Sequence, residues 1–249
     1  MDESAGAGAA RLAQLEQVKL RRRPSQMYQV LPPARQADLK SLGWACVDST
    51  AADNETFKRD LLALAATLGT PVRTRTRSVV DELVPVHQAE ARPRSLSQTT
   101  GIGPQPWHTD MAHRPVPARY LVLGMLECSD GTAATELLDA EKLLPNVLVE
   151  AASTEPFLVR TGAKSFYATI KAKGQPFLRF DPGCMQGATQ RARALMAMLG
   201  EQSVSPTHVH LWRRGRVLVL DNWKFLHRRA DASDDLSRVL FRVCVEGGC

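Results

Sequence analysis

The sequence predicts a mainly β protein with flanking helices, a sandwich or barrel rather than a doubly wound sheet. Beyond residue 70 the chain breaks into short apolar or β-branched segments separated by Gly, Pro and Asp, which is strand texture. These segments do not alternate with helical patterns, so no βαβ unit can be built from them. The chain has 249 residues and is 44% hydrophobic, enough to bury one substantial core.

The elements follow in order. Residues 6–23 read as an Ala/Leu-rich helix closed by Pro24 and by Pro32-Pro33, and residues 1–25 are set apart as an appendage to a domain spanning 26–249. Ala37–Gly43 reads as a short helix with a glycine stop, followed by the strand Trp44–Asp48. Asn54 can cap a helix over Glu55–Leu68, in which Leu61, Leu62, Leu64, Ala65 and Leu68 keep helical spacing. Strands are then expected over 72–77, 94–100, 119–126, 156–161, 165–170, 177–180, 207–212, 216–221 and 238–245, interrupted by a helix over 188–199. There is no internal repeat.

Composition excludes several classes. No run approaches eighteen apolar residues, so no membrane span is expected, and the acidic, small-residue start lacks a secretory pattern. Five cysteines, odd in number and without Cys-x-x-Cys, predict reduced thiols and a cytoplasmic setting. Cys46, Cys128 and Cys244 read as small core residues, whereas Cys249, at the terminus, carries no information. The net charge of +6 invites nucleic acid as a partner. However, Arg21-Arg22-Arg23 and the alternating Arg73, Arg75 and Arg77 have no aromatics interleaved for stacking, so none is expected. A solvated basic surface, or a rim attracting an anionic small molecule, accounts for the charge.

The chemistry concentrates at Pro106-Trp-His108-Thr-Asp110. Composition alone would give about 0.3 His-x-Asp pairs in such a chain, so the pair needs its context. On extended backbone His108 and Asp110 point to the same face and can grip one ion. His227 follows the apolar strand Val217–Asp221 and can supply a third ligand. Two His and one carboxylate, with open positions, suit non-haem Fe(II) and oxygen chemistry. Arg238 and Arg242 are four apart, so both face one side of a strand while Val239 and Phe241 face the other. Paired guanidiniums among apolar residues call for an anion, and a carboxylate can be held by such a fork. His113 does not complete a helical zinc motif, because neither its spacing nor a Glu fits. His208-Val-His210 reads as structural.

Five pieces, in order, carry a family resemblance: Trp-His108-Thr-Asp110, Gly131-Thr-Ala-Ala-Thr135-Glu-Leu, Leu178-Arg-Phe-Asp181, Asp221-Asn222-Trp-Lys-Phe-Leu-His227-Arg-Arg229 and Arg238-Val-Leu-Phe-Arg242. Over about residues 37–245 the chain resembles the Fe(II)- and 2-oxoglutarate-dependent dioxygenases of the taurine dioxygenase and clavaminate synthase-like superfamily. The resemblance implies a distorted double-stranded β-helix, or jelly roll. It implies that His108, Asp110 and His227 ligate iron and that Thr135 and Arg238 hold the distal carboxylate of 2-oxoglutarate. Arg242 would lie near the cosubstrate's inner carboxylate or an anionic substrate, and Asn222 would brace the strand and turn carrying His227. It further implies that O2 is consumed, that succinate and carbon dioxide are released, and that a C–H bond of a small anionic or zwitterionic substrate is hydroxylated. Halogenating relatives replace the carboxylate ligand with a small residue, so Asp110 favours hydroxylation or desaturation. A desaturase, cyclase or epimerase could use the same site, and a non-catalytic jelly roll that binds a ligand or nucleic acid is the reading from another class. Substrate identity and oligomeric state are not legible.

Overall fold

The structure is a computed structural model that describes residues 30–93, 95–162, 164–201 and 204–247. The helix expected over 6–23 and the arginines at 21–23 lie outside the described residues. In chain order the strands are β1 (Trp44–Asp48), β2 (Gly69–Val72), β3 (Val80–Leu83), β4 (Tyr120–Met125), β5 (Thr135–Asp139) and β6 (Phe157–Thr161). They continue as β7 (Lys164–Ala168), β8 (Met185–Gly187), β9 (His208–His210), β10 (Arg216–Asp221), β11 (Phe225–Arg229) and β12 (Leu240–Gly247). The helices are α1 (Pro33–Leu42), α2 (Asn54–Ala66), α3 (Leu96–Thr100), α4 (Ala140–Leu143), α5 (Asn146–Thr154) and α6 (Gln190–Glu201).

All strand pairings are antiparallel. The large sheet runs β1-β10-β4-β12-β2, with β3 pairing along the other half of β12. A smaller sheet, β11-β5-β9, faces it, and β7-β6-β8 forms a third. The result is a distorted jelly roll with helices outside, as the sequence predicts. Strand parity builds the layers. Along β10, Val217 and Val219 face α2, where they join Phe57, Leu61 and Leu64. Leu218 and Leu220 face inward to meet Leu137 of β5 and Phe225 of β11. On the far side of the smaller sheet, Leu138 and Leu226 pack with Phe157, Leu195 and Leu199. A Cβ at Gly124 would stand 2.7 Å from Leu61 and 2.9 Å from Phe57, so this glycine in β4 lets α2 lie close on the sheet.

Local chemistry explains where the elements start and stop. Pro33 opens α1 and Gly43, at φ 85°, closes it in the left-handed region. Asp53, not Asn54, caps α2, accepting the Thr56 N–H at 2.8 Å. Residues 73–77 are a turn rather than a strand. Thr74 and Thr76 turn their hydroxyls onto Asp81, Arg77 takes φ 63°, and the three arginines are exposed. In place of the strand expected over 94–100, residues Leu96–Thr100 form the helix α3. Residues 177–180 join no ladder, although Phe180 O accepts from Thr109 N at 2.7 Å and Arg179 N donates to Ile170 O at 2.8 Å. Among the described residues Cys46, Cys128, Cys184 and Cys244 are all free thiols; Cys184 and Cys244 are buried and the other two half-buried. Also among them, no helix is long and apolar enough to cross a membrane.

The His208-Val-His210 pair packs rather than binds. His208 stacks on Trp44 at 4.0 Å, and His210 meets Trp212 edge-on at 4.5 Å. Burial, then the charges of Arg216 and His208, push the His210 imidazole down to about 4. The unfolded chain takes this proton below its ordinary 6.5 and the folded protein only near 4, so stability falls as pH drops through that window. His210→Leu should therefore remove about 3 kcal/mol of the acid-induced loss between pH 7 and pH 4, read by urea unfolding. An unchanged pH dependence would contradict this assignment.

A candidate metal and anion site

His108 and His227 are joined backbone to backbone: each N–H donates to the other's carbonyl at 3.1 Å, an isolated bridge across the mouth of the roll. The bridge brings two sequence-distant motifs together. Parity on β11 then turns Phe225, His227 and Arg229 inward, with His227 opposite Leu137 and Arg229 opposite Thr135. Thr109 donates its hydroxyl to Leu178 O at 2.8 Å, tying the His-Thr-Asp segment to the extended 178–181 stretch. Asn222, in the turn before β11, brackets Asp110: its Oδ1 accepts the Asp110 N–H at 3.0 Å and its Nδ2 donates to Asp110 O at 3.1 Å and Ala118 O at 2.7 Å. It thus ties the turn before the His227 strand to Asp110. The next residue, Met111, sits at φ 59°, a left-handed conformation uncommon for a long side chain. This kink ends the segment just past the carboxylate.

The ligand-type atoms of His108, Asp110 and His227 lie within 4.8 Å of one another, and all three residues are buried. His108 Nε2 is 4.0 Å from one Asp110 oxygen and His227 Nε2 is 3.6 Å from the other. His108 Nδ1 lies 3.0 Å from Pro106 O, so its N–H is used there and Nε2 is left with its lone pair toward the site. Burial and then the neighbouring His227 hold the His108 imidazole down at about 4, so it is neutral at physiological pH, the state that binds metals. Burial alone would raise the Asp110 carboxyl, but Arg242, followed by the two histidines, drives it well below the usual carboxylate range. Two imidazoles and a carboxylate, buried together, fit a divalent first-row metal such as Fe(II).

These groups open into a cavity of about 460 Å³ that also contains Thr135, Asp181, Arg229, Arg238 and Arg242, with Arg75 and Arg92 at its exposed rim. Arg238 lies just before β12, yet it keeps the alternation expected of it, since Arg238, Leu240 and Arg242 all line the cavity while Phe241 faces α2. Arg238 is 4% exposed, and its NH1 donates to Ala133 O at 2.7 Å while its buried Nε has no partner. Burial, then the charge of Arg229, push its guanidinium down to about 10. Arg229 is buried too, bonded only to the carbonyls of Gly101 and Gly103 at 2.7 Å. Two buried cations without a bonded carboxylate make a pocket that an anion would satisfy. Thr135 Oγ1 accepts from Trp212 Nε1 at 3.1 Å, leaving its hydroxyl proton free to donate. Arg242 is differently placed, lying between the Asp110 and Asp81 carboxylates.

Arg229, Trp212 and Asp81 escape a reading by motif. Arg229 is visible only as the second of two arginines after His227. Asp81 stands in the sequence beside Glu82 within Val80–Leu83, with no motif to single it out. Only the register of β3 against β12, which sets it opposite Arg242, gives it a place.

No family model matches the chain, and no curated protein matches it in sequence. Solved structures do match. Asparagine oxygenase, in complex with Fe(II), 2S,3S-3-hydroxyasparagine and succinate, superimposes with a TM-score of 0.66 at 18% identity, covering 86% of this chain and 78% of that one. The non-heme iron oxygenase OrfP, in complex with Fe and alpha-ketoglutaric acid, gives 0.65 at 19% identity over 88% of this chain and 81% of its own. A taurine dioxygenase from Burkholderia xenovorans gives 0.62 at 18% identity, over 88% and 83%. The chain shares the fold of these proteins.

Proposed function

We propose that the chain is an Fe(II)- and 2-oxoglutarate-dependent oxygenase that hydroxylates an unactivated C–H bond of a small zwitterionic or anionic substrate, an amino acid or a related intermediate. The observation that carries this reading is the meeting, in one cavity, of the His108–Asp110–His227 cluster with the buried Arg238, which bonds a carbonyl and no carboxylate. Solved neighbours of the same fold hold iron with alpha-ketoglutaric acid, 3-hydroxyasparagine or (3S)-hydroxy-L-Arg, which supports the reaction class and an amino-acid substrate.

His108, Asp110 and His227 would hold Fe(II), and Thr135 with Arg238 the distal carboxylate of 2-oxoglutarate. Iron with 2-oxoglutarate and O2 supplies the oxidising chemistry, releasing succinate and carbon dioxide. The protein's part is placement. Arg238 gives the incoming carboxylate a fork in a dry setting, where its unpartnered Nε and its lack of a bonded carboxylate make binding favourable. The Thr135 proton adds a directed donor, fixed by Trp212. Arg229 adds a second positive charge at the same end of the cavity. Arg242 commits its Nε, NH1 and NH2 nitrogens to Asp81 and Asp110, with NH1 meeting both oxygens of Asp110, which leaves at most two of its five N–H groups for an anion entering the site.

The substrate end of the cavity carries charges of both signs: the Asp181 carboxylate, and the Arg75 and Arg92 guanidiniums at the rim. An amino acid presents the complementary pair. The test is succinate release by the iron-loaded protein across a panel of L-amino acids, with one or a few expected to stimulate it. Asp181→Asn should raise the stimulating substrate's KM about tenfold or more, as expected for a lost charge-assisted hydrogen bond, and leave the cosubstrate's KM unchanged. No 2-oxoglutarate turnover with any substrate would argue against the enzyme reading. An equal effect of Asp181→Asn on both KM values would remove Asp181 from substrate recognition.

A further inference from the structure

Arg242 is held from two sides. Its NH1 donates to both oxygens of Asp110, at 2.8 and 2.9 Å, while its NH2 and Nε donate to Asp81 Oδ2 at 2.8 and 3.3 Å. Asp81 is 1% exposed and is the direct cross-strand partner of Arg242 in the β3–β12 register. Its other oxygen accepts the hydroxyl of Thr74 at 2.6 Å and that of Thr76, both in the turn that lines the cavity. The carboxylate of Asp81 is therefore saturated and fixed by three elements of the fold. A buried acid this far committed is costly to desolvate unless its partner needs it. Without Asp81 the guanidinium would place its whole charge on Asp110, in direct competition with a metal cation. With Asp81 in place, half of the fork is anchored on β3, and the other half holds the Asp110 carboxylate in one orientation.

We propose that Asp81 is a positioning residue for the metal centre. It anchors Arg242, and through Arg242 it sets the orientation and the available negative charge of the Asp110 carboxylate. The inference rests on the proposal that His108, Asp110 and His227 bind Fe(II), and it concerns residues outside that ligand set. Partners of this kind, one bond removed from the ligand, typically change metal affinity by 10–100-fold when removed.

The test is the Fe(II) dissociation constant, measured anaerobically by equilibrium dialysis on folded protein, for the wild type, Asp81→Asn, Arg242→Gln and the double variant. Asp81→Asn is expected to weaken Fe(II) binding about tenfold, and this effect is expected to vanish when Arg242 is already Gln, because the coupling runs through the guanidinium. A general role in folding would lower stability in both backgrounds and would not give that non-additivity. Wild-type affinity in Asp81→Asn overturns the inference, as does an undiminished tenfold loss in the Arg242→Gln background. If Asp81→Asn does not fold, Arg242→Lys serves: its single ammonium cannot fork between both carboxylates, so about a tenfold loss is expected and unchanged affinity overturns the inference. If the wild-type chain itself binds no Fe(II), the metal reading fails and the inference falls with it, an outcome separate from those seen in the variants.

Discussion

Asp110→Ala is expected to lose Fe(II) affinity by more than about 100-fold, beyond the range that loss of an outer partner costs, and to lose all 2-oxoglutarate turnover. The geometry makes the effect specific. Asp110 is the only carboxylate in the three-residue cluster found among the described residues, and it stands between the two imidazoles, at 4.0 and 3.6 Å. Removing it leaves two histidines beside the Arg242 guanidinium, whose positive charge no longer meets a carboxylate there and opposes a metal cation. The fold should tolerate the change better than the metal site does, because Arg242 keeps Asp81 as its partner and the backbone bracket from Asn222 does not involve the Asp110 side chain. Circular dichroism melting should therefore show a folded protein that no longer gains stability from added Fe(II). An Asp110→Ala protein that binds Fe(II) like the wild type would remove Asp110 from the ligand set.

Arg238→Leu is expected to weaken use of the cosubstrate, raising its KM by about 100-fold, within the 2–5 kcal/mol range for truncating one partner of a buried, hydrogen-bonded charge pair. Fe(II) binding without 2-oxoglutarate should hardly change, since Arg238 bonds Ala133 O and no member of the metal cluster. A second readout separates ligand contact from damage to the fold. In the wild type, saturating 2-oxoglutarate should raise the melting temperature by mass action, and in Arg238→Leu that rise should disappear at the same concentration. Arg238→Lys should fall between the two, because an ammonium restores the charge and loses the fork. An unaltered cosubstrate KM would shift the carboxylate-binding role to Arg229, the other buried cation of the cavity.

Much of this site is legible in the sequence for a physical reason. His108 and Asp110 are held by local backbone geometry, and Arg238 and Arg242 by strand parity, so short spacings are enough to place them on common faces. The continuous apolar run of 217–220 likewise predicts β10, and the structure buries both of its faces. What the sequence hides depends on partners far away along the chain. Arg73, Arg75 and Arg77 have strand spacing, yet the turn forms because Thr74 and Thr76 bond to Asp81. Ser95–Thr100 lacks a helical apolar face, so α3 does not show in its pattern. β5 is read only as the residues after a glycine turn, and its strand character comes from lying between β11 and β9. The same limit applies to Arg242. Its spacing identifies it as a cation facing the cavity, but only the β3–β12 register reveals that Asp81 already holds it.

The most direct measurement is an anaerobic titration of the purified chain with Fe(II) and then 2-oxoglutarate, followed in the visible spectrum. The account predicts a weak charge-transfer band that forms only when both are present, is absent in Asp110→Ala and is weakened in Arg238→Leu. No band in the wild type, with Fe(II) shown not to bind at the His108–Asp110–His227 cluster, would contradict it and leave a jelly roll that binds its ligand without this chemistry.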